Sequence, residues 1–308
     1  MTIPDQDIPP GRPRTVVISG ASDGIGRAAA TGFARRGDRV VLLGRNEAKT
    51  AAAARAIMSA TGNRTITWHI ADLSSLEAVA ELADRLRDAH PRIDVLVNNA
   101  GAMFRHRELT PEGIERTVAL NHLAAFALTL RLLPSLATAA EAHPPARVIT
   151  VSSRAHQHGR ADLDDLQFAH GYRAWRAYGT TKLYNLWFTT ALAARVPADR
   201  LLAVAMHPGV VRTRFATNNG AWGRWQRRIM DLVSVTPEVG ADTILWLADA
   251  EAPRSFPGSY WVRRQRTTPS RTARNLAAAE RLWTMSADLT GLDADALVRA
   301  AFPGRTPT

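Results

Sequence analysis

The sequence predicts an α/β fold, a doubly wound parallel sheet in a single domain, and three observations carry that prediction. Seven short apolar or β-branched runs recur at 16–18, 40–43, 66–70, 95–97, 148–151, 201–205 and 260–262. Longer Ala-, Leu- and Arg-rich segments lie at 27–36, 47–60, 76–90, 111–136 and 182–195. The first set has the length of strands and the second the length and composition of helices. Their alternation implies parallel pairing through right-handed crossovers. The strand runs are continuously apolar rather than alternating, as strands are when helices cover both faces of a sheet. In such a sheet a ligand lies beyond the carboxyl ends of the strands.

Composition agrees. A chain of 308 residues, 46% apolar and 22% charged, suits one large globular domain. Residues 1–13 are polar and Pro-rich and are expected to be a flexible segment, 14–293 the domain, and 294–308 a tail. No run reaches about 18 apolar residues and no apolar leader opens the sequence, so neither a membrane span nor a secretory signal is expected, and the expected location is the cytoplasm. The absence of cysteine removes disulfides, thiolate metal sites and a cysteine nucleophile. The net charge of +11 raises nucleic acid or an anionic membrane as partners. Its basic residues are scattered singly or in pairs, with the densest run at Arg263, Arg264 and Arg266, so neither partner is expected. Association of the chain with further copies of itself stays open.

The first strand runs into Ser19-Gly20-Ala21-Ser22-Asp23-Gly24-Ile25-Gly26, and a helix follows. Gly20, Gly24 and Gly26 permit positive φ and let the amides from Ser22 to Gly26 approach a pyrophosphate at the helix N-terminus. The spacing is not the common G-x-G-x-x-G, and an ordinary tight turn would use the same residue types. Its position after the first strand and before a helix favours dinucleotide binding. At the end of the second strand, where an acid would hold the ribose 2′-hydroxyl of NAD, stands Gly44, followed by Arg45-Asn46. Arg45 suits a 2′-phosphate, and no carboxylate is present there to repel it, so the expected cofactor is NADP(H). A surface arginine in an Arg-rich chain is the competing reading.

Only two lysines, Lys49 and Lys182, stand among the 39 basic residues. Lys182 follows Tyr178 by four residues at the start of a helical segment, so phenol and ammonium share one face. A nearby cation lowers a phenol's pKa from about 10 and makes proton transfer near neutral pH efficient. With four tyrosines and two lysines in the chain, an accidental pair at this spacing is rare.

From about Arg14 to Leu292 the sequence resembles the short-chain dehydrogenase/reductase family, whose domain is Rossmann-like. The glycine turn matches, with Ser19 where Thr is usual. Asp72-Leu73 falls where the family contacts adenine. Asn98-Asn99-Ala100-Gly101 matches the motif of the fourth strand that lines the cofactor pocket, Asn121 the catalytic Asn, Ser153 the catalytic Ser, and Tyr178 and Lys182 the remaining pair. Pro208-Gly209, with Val211 and Thr213, matches the segment at the nicotinamide carboxamide. The interval from Ser153 to Tyr178, 25 residues against about a dozen in most members, resembles the retinol dehydrogenase-like subgroup, as do Ser152-Ser153-Arg154-Ala155-His156 and the stretch from Arg281 to Leu292. Those relatives often carry an N-terminal anchor, which is not expected here, so retinoid substrates are not implied.

The resemblance implies an oxidoreductase. Tyr178 would give its proton to a carbonyl oxygen, Ser153 would hydrogen-bond that oxygen, Lys182 would acidify the phenol and hold the nicotinamide ribose, and Asn121 would order a water leading to Lys182. Taken singly, Ser153 could merely end a strand and Asn121 merely satisfy a helix kink. A non-catalytic NADP(H)-binding regulatory module and a double-bond reductase or epimerase on the same scaffold are the competing functions. His156, His158 and His170 complete no ligand set, and no metal is expected.

Two segments, 154–176 and 212–235, read as substrate loops at the edge of the sheet. Phe215, Trp222 and Trp225, set among Gly220, Gly223 and arginines, suggest a lid with an apolar inner face, and hence a bulky, apolar carbonyl or alcohol as substrate. Packing of those aromatics into the core is the alternative.

Overall fold

All seven expected strands form, and an eighth extends the sheet at its edge. The computed structural model describes residues 13–143, 145–160, 162–209 and 236–303. Its strands are β1 (Thr15–Ser19), β2 (Arg39–Gly44), β3 (Ile66–Ile70), β4 (Val95–Asn98), β5 (Ala146–Val151), β6 (Leu201–His207), β7 (Tyr260–Val262) and β8 (Gln265–Arg266). They form one sheet in the order β3-β2-β1-β4-β5-β6-β7-β8. Every pair is parallel except β7 with β8, which turn back on each other through Arg263 and Arg264 at φ 50° and 62°. The chain winds outward from β1 in one direction and from β4 in the other, so the carboxyl ends of these two neighbours flank the crevice where such sheets bind ligands.

The period of two along each strand sends successive side chains to opposite faces, and both faces are apolar. Val16, Ile18, Val40, Leu42, Val95 and Val97 pack on the side covered by α1 (Gly24–Arg35), α2 (Glu47–Thr61) and α8 (Pro237–Leu247). Val17, Val41, Leu43, Leu96 and Val148 pack on the other side, with α3 (Leu76–Ala89) and α5 (Ala124–Arg131). That two-sided burial is why the strand runs do not alternate in the sequence. Truncating one of these residues, such as Leu42→Ala, should cost about 2–5 kcal/mol. Among the described residues no single helix is long and apolar enough to cross a membrane.

The helix expected over 111–136 is corrected at both ends. Gly113 has φ 78° within a turn, and the helix starts only at Arg116, because the buried Glu115 carboxylate accepts from the backbone N–H groups of Thr117 and Val118. Helix α4 (Arg116–Val118) passes through a wide π turn (Ala119–Leu123) into α5. The chain breaks at Leu132, and Pro134 stands in the first turn of α6 (Leu133–Ala142), where its missing N–H costs nothing.

The helix expected over 182–195 starts earlier, as α7 (Ala174–Arg195), and so contains Tyr178 well inside its first turns. Helix α9 (Leu276–Thr290) packs on α7. The segment 294–308, read as a tail, instead opens with α10 (Ala294–Ala301). Asp293 caps it through Ala296 N–H, and Ala294, Val298 and Phe302 enter the main core.

Candidate active site

The glycine turn is built to bring backbone close to backbone. Gly20 and Gly24 have φ 67° and 52°, which only glycine adopts without strain. A Cβ on Gly26 would stand 2.4 Å from the Gly20 carbonyl oxygen and 2.6 Å from Asn99 Nδ2, so helix α1 could not approach the end of β1 with any other residue. Ser19 closes the crevice from below: its Oγ accepts from the N–H groups of Asn99 and Ala100, at 2.9 Å each, and donates to the Val97 carbonyl. Asn99 Nδ2 donates back to Ser19 O at 2.8 Å, so this side chain locks the turn from within. Ile25 packs against the core beneath, while Ser22 is half-buried at the turn.

Asp23 caps α1 through Gly24 N–H at 2.8 Å, and its second oxygen meets Lys49 Nζ at 2.9 Å. The only acid in the turn is therefore paired with a lysine that reaches over from α2. At the end of β2, a Cβ on Gly44 would fall 2.1 Å from Thr50 Oγ1, so the acid that NAD-selective folds place there would require Thr50 to shift. Arg45 is exposed beside it, and Asn46 is occupied as the N-cap of α2, accepting from Lys49 N–H at 2.9 Å. Burial raises the pKa of Asp72, but the N–H and hydroxyl of Ser74, together with Arg45 and Arg116, bring it below its ordinary value. Leu73 beside it is buried. The positive-φ glycines at the end of β1 and the helix N-terminus that follows fit a dinucleotide.

Around the carboxyl end of β5, four side chains meet. Lys182 Nζ donates to Val151 O at 3.0 Å and lies 5.6 Å from the centre of the Tyr178 ring. The Tyr178 and Ser153 side chains share a hydrogen bond. Asn121 sits in the π turn, and its amide grips Ala102 at both backbone groups, at 2.8 and 2.9 Å, while donating to Thr181 on α7 at 3.0 Å. Its bonds thus run to its neighbours and leave the kinked helix's own backbone untouched. A π turn carrying a polar residue toward a crevice is a common device at functional sites. Gly101 leaves the space between these groups open, for a Cβ there would lie 3.1 Å from Lys182 Nζ and 3.2 Å from Asn121 Oδ1.

Electrostatics depart from the sequence expectation at the central pair. Burial pushes the Tyr178 phenol up to about 12, against the lowering effect of its bond to Ser153, and burial brings Lys182 down to about 8. Desolvation of the pair thus outweighs the attraction of the ammonium for a phenolate.

Several residues that position this site carried no signal on their own. Gly159 and Gly179 let α7 touch the turn after β5: a Cβ on Gly179 would stand 2.7 Å from Ala155 O, and one on Gly159 2.8 Å from Gly179 O. The long interval before Tyr178 folds onto α7, with Leu163, Leu166 and Phe168 buried against Ala177 and Leu183. Trp175, one turn before Tyr178, is 55% exposed, and its ring centre lies 6.0 Å from that of the tyrosine. His156 is buried within hydrogen-bonding distance of Ser153 O, whereas His170 lies beside Asp165. Pro208 and Gly209 follow β6 at the same edge, Gly209 with φ 89°. Val211 and Thr213, and the aromatics Phe215, Trp222 and Trp225 of the expected lid, lie outside the described residues.

Comparison with known proteins agrees with this layout. The family model described as short chain dehydrogenase matches residues 14–224. A protein of Streptomyces sp. (strain C5) assigned as a daunorubicin C-13 ketoreductase is 40% identical over 90% of this chain and 93% of its own. Human retinol dehydrogenase 13 is 34% identical over 94% of this chain and 88% of its own. Among solved structures, the NADP active-site complex of Pseudomonas aeruginosa RhlG superposes with a TM-score of 0.64 at 28% identity, over 81% of this chain and 94% of that one.

Proposed function

The chain belongs to the short-chain dehydrogenase family of NAD(P)-dependent oxidoreductases, in its retinol dehydrogenase-like branch, and on that premise we propose that it reduces bulky, largely apolar ketones or aldehydes with NADPH. The observation that carries the proposal is the meeting of Ser153, Tyr178, Lys182 and Asn121 at the carboxyl end of β5, on the crevice beside the glycine turn.

When bound, NADPH supplies a hydride. The protein's part is to place and charge the partners. Gly20, Gly24 and Gly26 admit the pyrophosphate, and Arg45 meets the 2′-phosphate where Gly44 leaves no acid. Tyr178 gives its phenolic proton to the carbonyl oxygen, and the Ser153 hydroxyl hydrogen-bonds the same oxygen as negative charge develops there. Lys182 stands over the ring, so its charge stabilises the phenolate that forms and lowers the cost of that transfer.

Two observations support the substrate class. Trp175 offers an exposed indole next to the reacting phenol, their ring centres 6.0 Å apart, where it would contact a bulky apolar substrate. The Streptomyces relative is named for a ketone reduction. The reading is tested by following oxidation of NADPH and NADH over a panel of polycyclic ketones, small ketones and enones. Alcohol product, NADPH preference and faster turnover of the bulky ketones are expected. Reduction of the enone double bond with the carbonyl left intact would overturn it.

A further inference from the structure

His156 lies in the short turn Arg154–His158 that follows Ser153, and it is only 1% exposed. Its ring makes two polar contacts with opposite requirements. Nδ1 stands 2.7 Å from the Ser153 carbonyl oxygen, and Nε2 stands 3.3 Å from the backbone nitrogen of Ser270. A carbonyl can only accept and a backbone N–H can only donate, so Nδ1 carries the hydrogen and Nε2 is bare. The ring is thereby fixed as one neutral tautomer. Burial, the largest influence on it, lowers its pKa and favours that neutral form.

The contacts join parts of the chain that surround the site. Ser153 O accepts from the backbone N–H of His156 at 3.0 Å as well as from its ring, so two donors from one residue hold this carbonyl. The direction of that carbonyl fixes the backbone of Ser153 and with it the direction of the hydroxyl that bonds Tyr178. Ser270 belongs to the segment after β8, which is also tied to α7 by Trp187 Nε1 donating to Thr272 O at 3.1 Å. The edge of Tyr260 on β7 closes the other side of the ring at 5.3 Å.

We propose that His156 is a positioning residue: as the Nδ1–H tautomer it clamps the Ser153 carbonyl, and through Nε2 it anchors the turn to Ser270, so that the serine hydroxyl stays on the Tyr178 phenol. This rests on the reading of Ser153 and Tyr178 given above. Misplacing a reacting group by about 1 Å can cost on the order of a hundredfold in rate. His156→Ala should therefore lower kcat roughly tenfold to a hundredfold, while KM for the ketone and Kd for NADPH stay close to wild type. His156→Asn places an N–H on the atom that replaces Nδ1 and should recover most of kcat without the Ser270 tether. An unchanged kcat in His156→Ala, or an Asn variant no better than Ala, would overturn the proposal.

A second measurement does not depend on the variants folding or on any turnover. In wild-type protein labelled with nitrogen-15 histidine, long-range proton–nitrogen correlation at pH 7 should show one ring with a protonated Nδ1 and a bare Nε2. Its assignment is the signal lost in His156→Asn, or, if that variant does not fold, the Nδ1–H ring that persists as the exposed histidines titrate. No such ring, or only Nε2–H and cationic rings, would overturn the tautomer and with it the clamp. A wild-type protein that reduces no carbonyl would instead count against the reading of the site and leave this arm standing.

Discussion

Lys182 Nζ stands over the face of the Tyr178 ring, 5.6 Å from its centre, and donates its hydrogen bond to the Val151 carbonyl at 3.0 Å. The two groups are thus close enough to feel each other's charge, and burial moves them apart in pKa, the phenol to about 12 and the ammonium to about 8.

That relationship predicts a pH signature. Lys182 binds its proton less readily folded, at about 8, than unfolded, near 10.5. Between those values the unfolded chain holds more protons, so stability rises with pH across the window; the cost of burying the charge is fully present below about 8 and gone above about 10.5. The size is on the order of 3 kcal/mol. Lys182→Met should lose the rise: its melting temperature, compared with wild type from pH 8 to 10, should fall behind progressively. Parallel curves would contradict the assignment.

Cofactor choice should depend on Arg45. Gly44 offers no acid for a ribose 2′-hydroxyl, and the exposed Arg45 beside it is the group proposed to hold a 2′-phosphate. Because it is exposed, its contribution is at the lower end for a charge-assisted pair, roughly tenfold in affinity. Fluorescence titration of Arg45→Ala should show weakened NADPH binding and unchanged NADH binding. Equal losses for both would remove the role.

How far this could be read from the sequence differs between the parts. The strands were legible because both faces of the sheet are covered, so that Val16 and Val17, pointing opposite ways, are both apolar. The cluster of Tyr178 and Lys182 was legible because one helix carries both at a fixed spacing. What could not be read depends on distant partners. Gly179 matters because Ala155 approaches it, His156 because Ser270 reaches it, and the 116 start of α4 because Glu115 turns back on its own helix. The pKa of Tyr178 departs from the sequence expectation for the same reason: spacing shows the cation, and only packing shows the burial.

Two buried histidines predict acid lability. Burial lowers His122 to about 3, with the neighbouring Asn185 side chain opposing it, and lowers His207 to about 4, helped by Arg154. Both pKa values lie below the unfolded 6.5, so the stability they leave intact above that pH is lost as pH falls from 6.5 toward 4. Each contributes a slope of about 1.4 kcal/mol per pH unit where the unfolded chain alone is protonated. His122→Leu gives up the bond to Ser286 Oγ and should melt lower at pH 7, yet its acid slope should be shallower than wild type. An equal or steeper slope would show that His122 is not the group being protonated.

Trp175 should set the size preference. Trp175→Ala is expected to raise KM for polycyclic ketones roughly tenfold, the worth of one aromatic contact of about 1.4 kcal/mol, and to leave KM for small aldehydes unchanged. Trp175→Phe should lie between. A uniform change across substrates would place the indole outside the substrate's reach.

The most direct test of the account is turnover by Tyr178→Phe, which removes one oxygen from the hydrogen-bonded pair with Ser153 and leaves the ring beneath Lys182. NADPH oxidation with the best ketone of the panel should fall by about a thousandfold or more, within the range that a lost general acid costs, while NADPH binding measured by fluorescence stays within twofold of wild type. Turnover within tenfold of wild type would contradict the claim that Tyr178 delivers the proton.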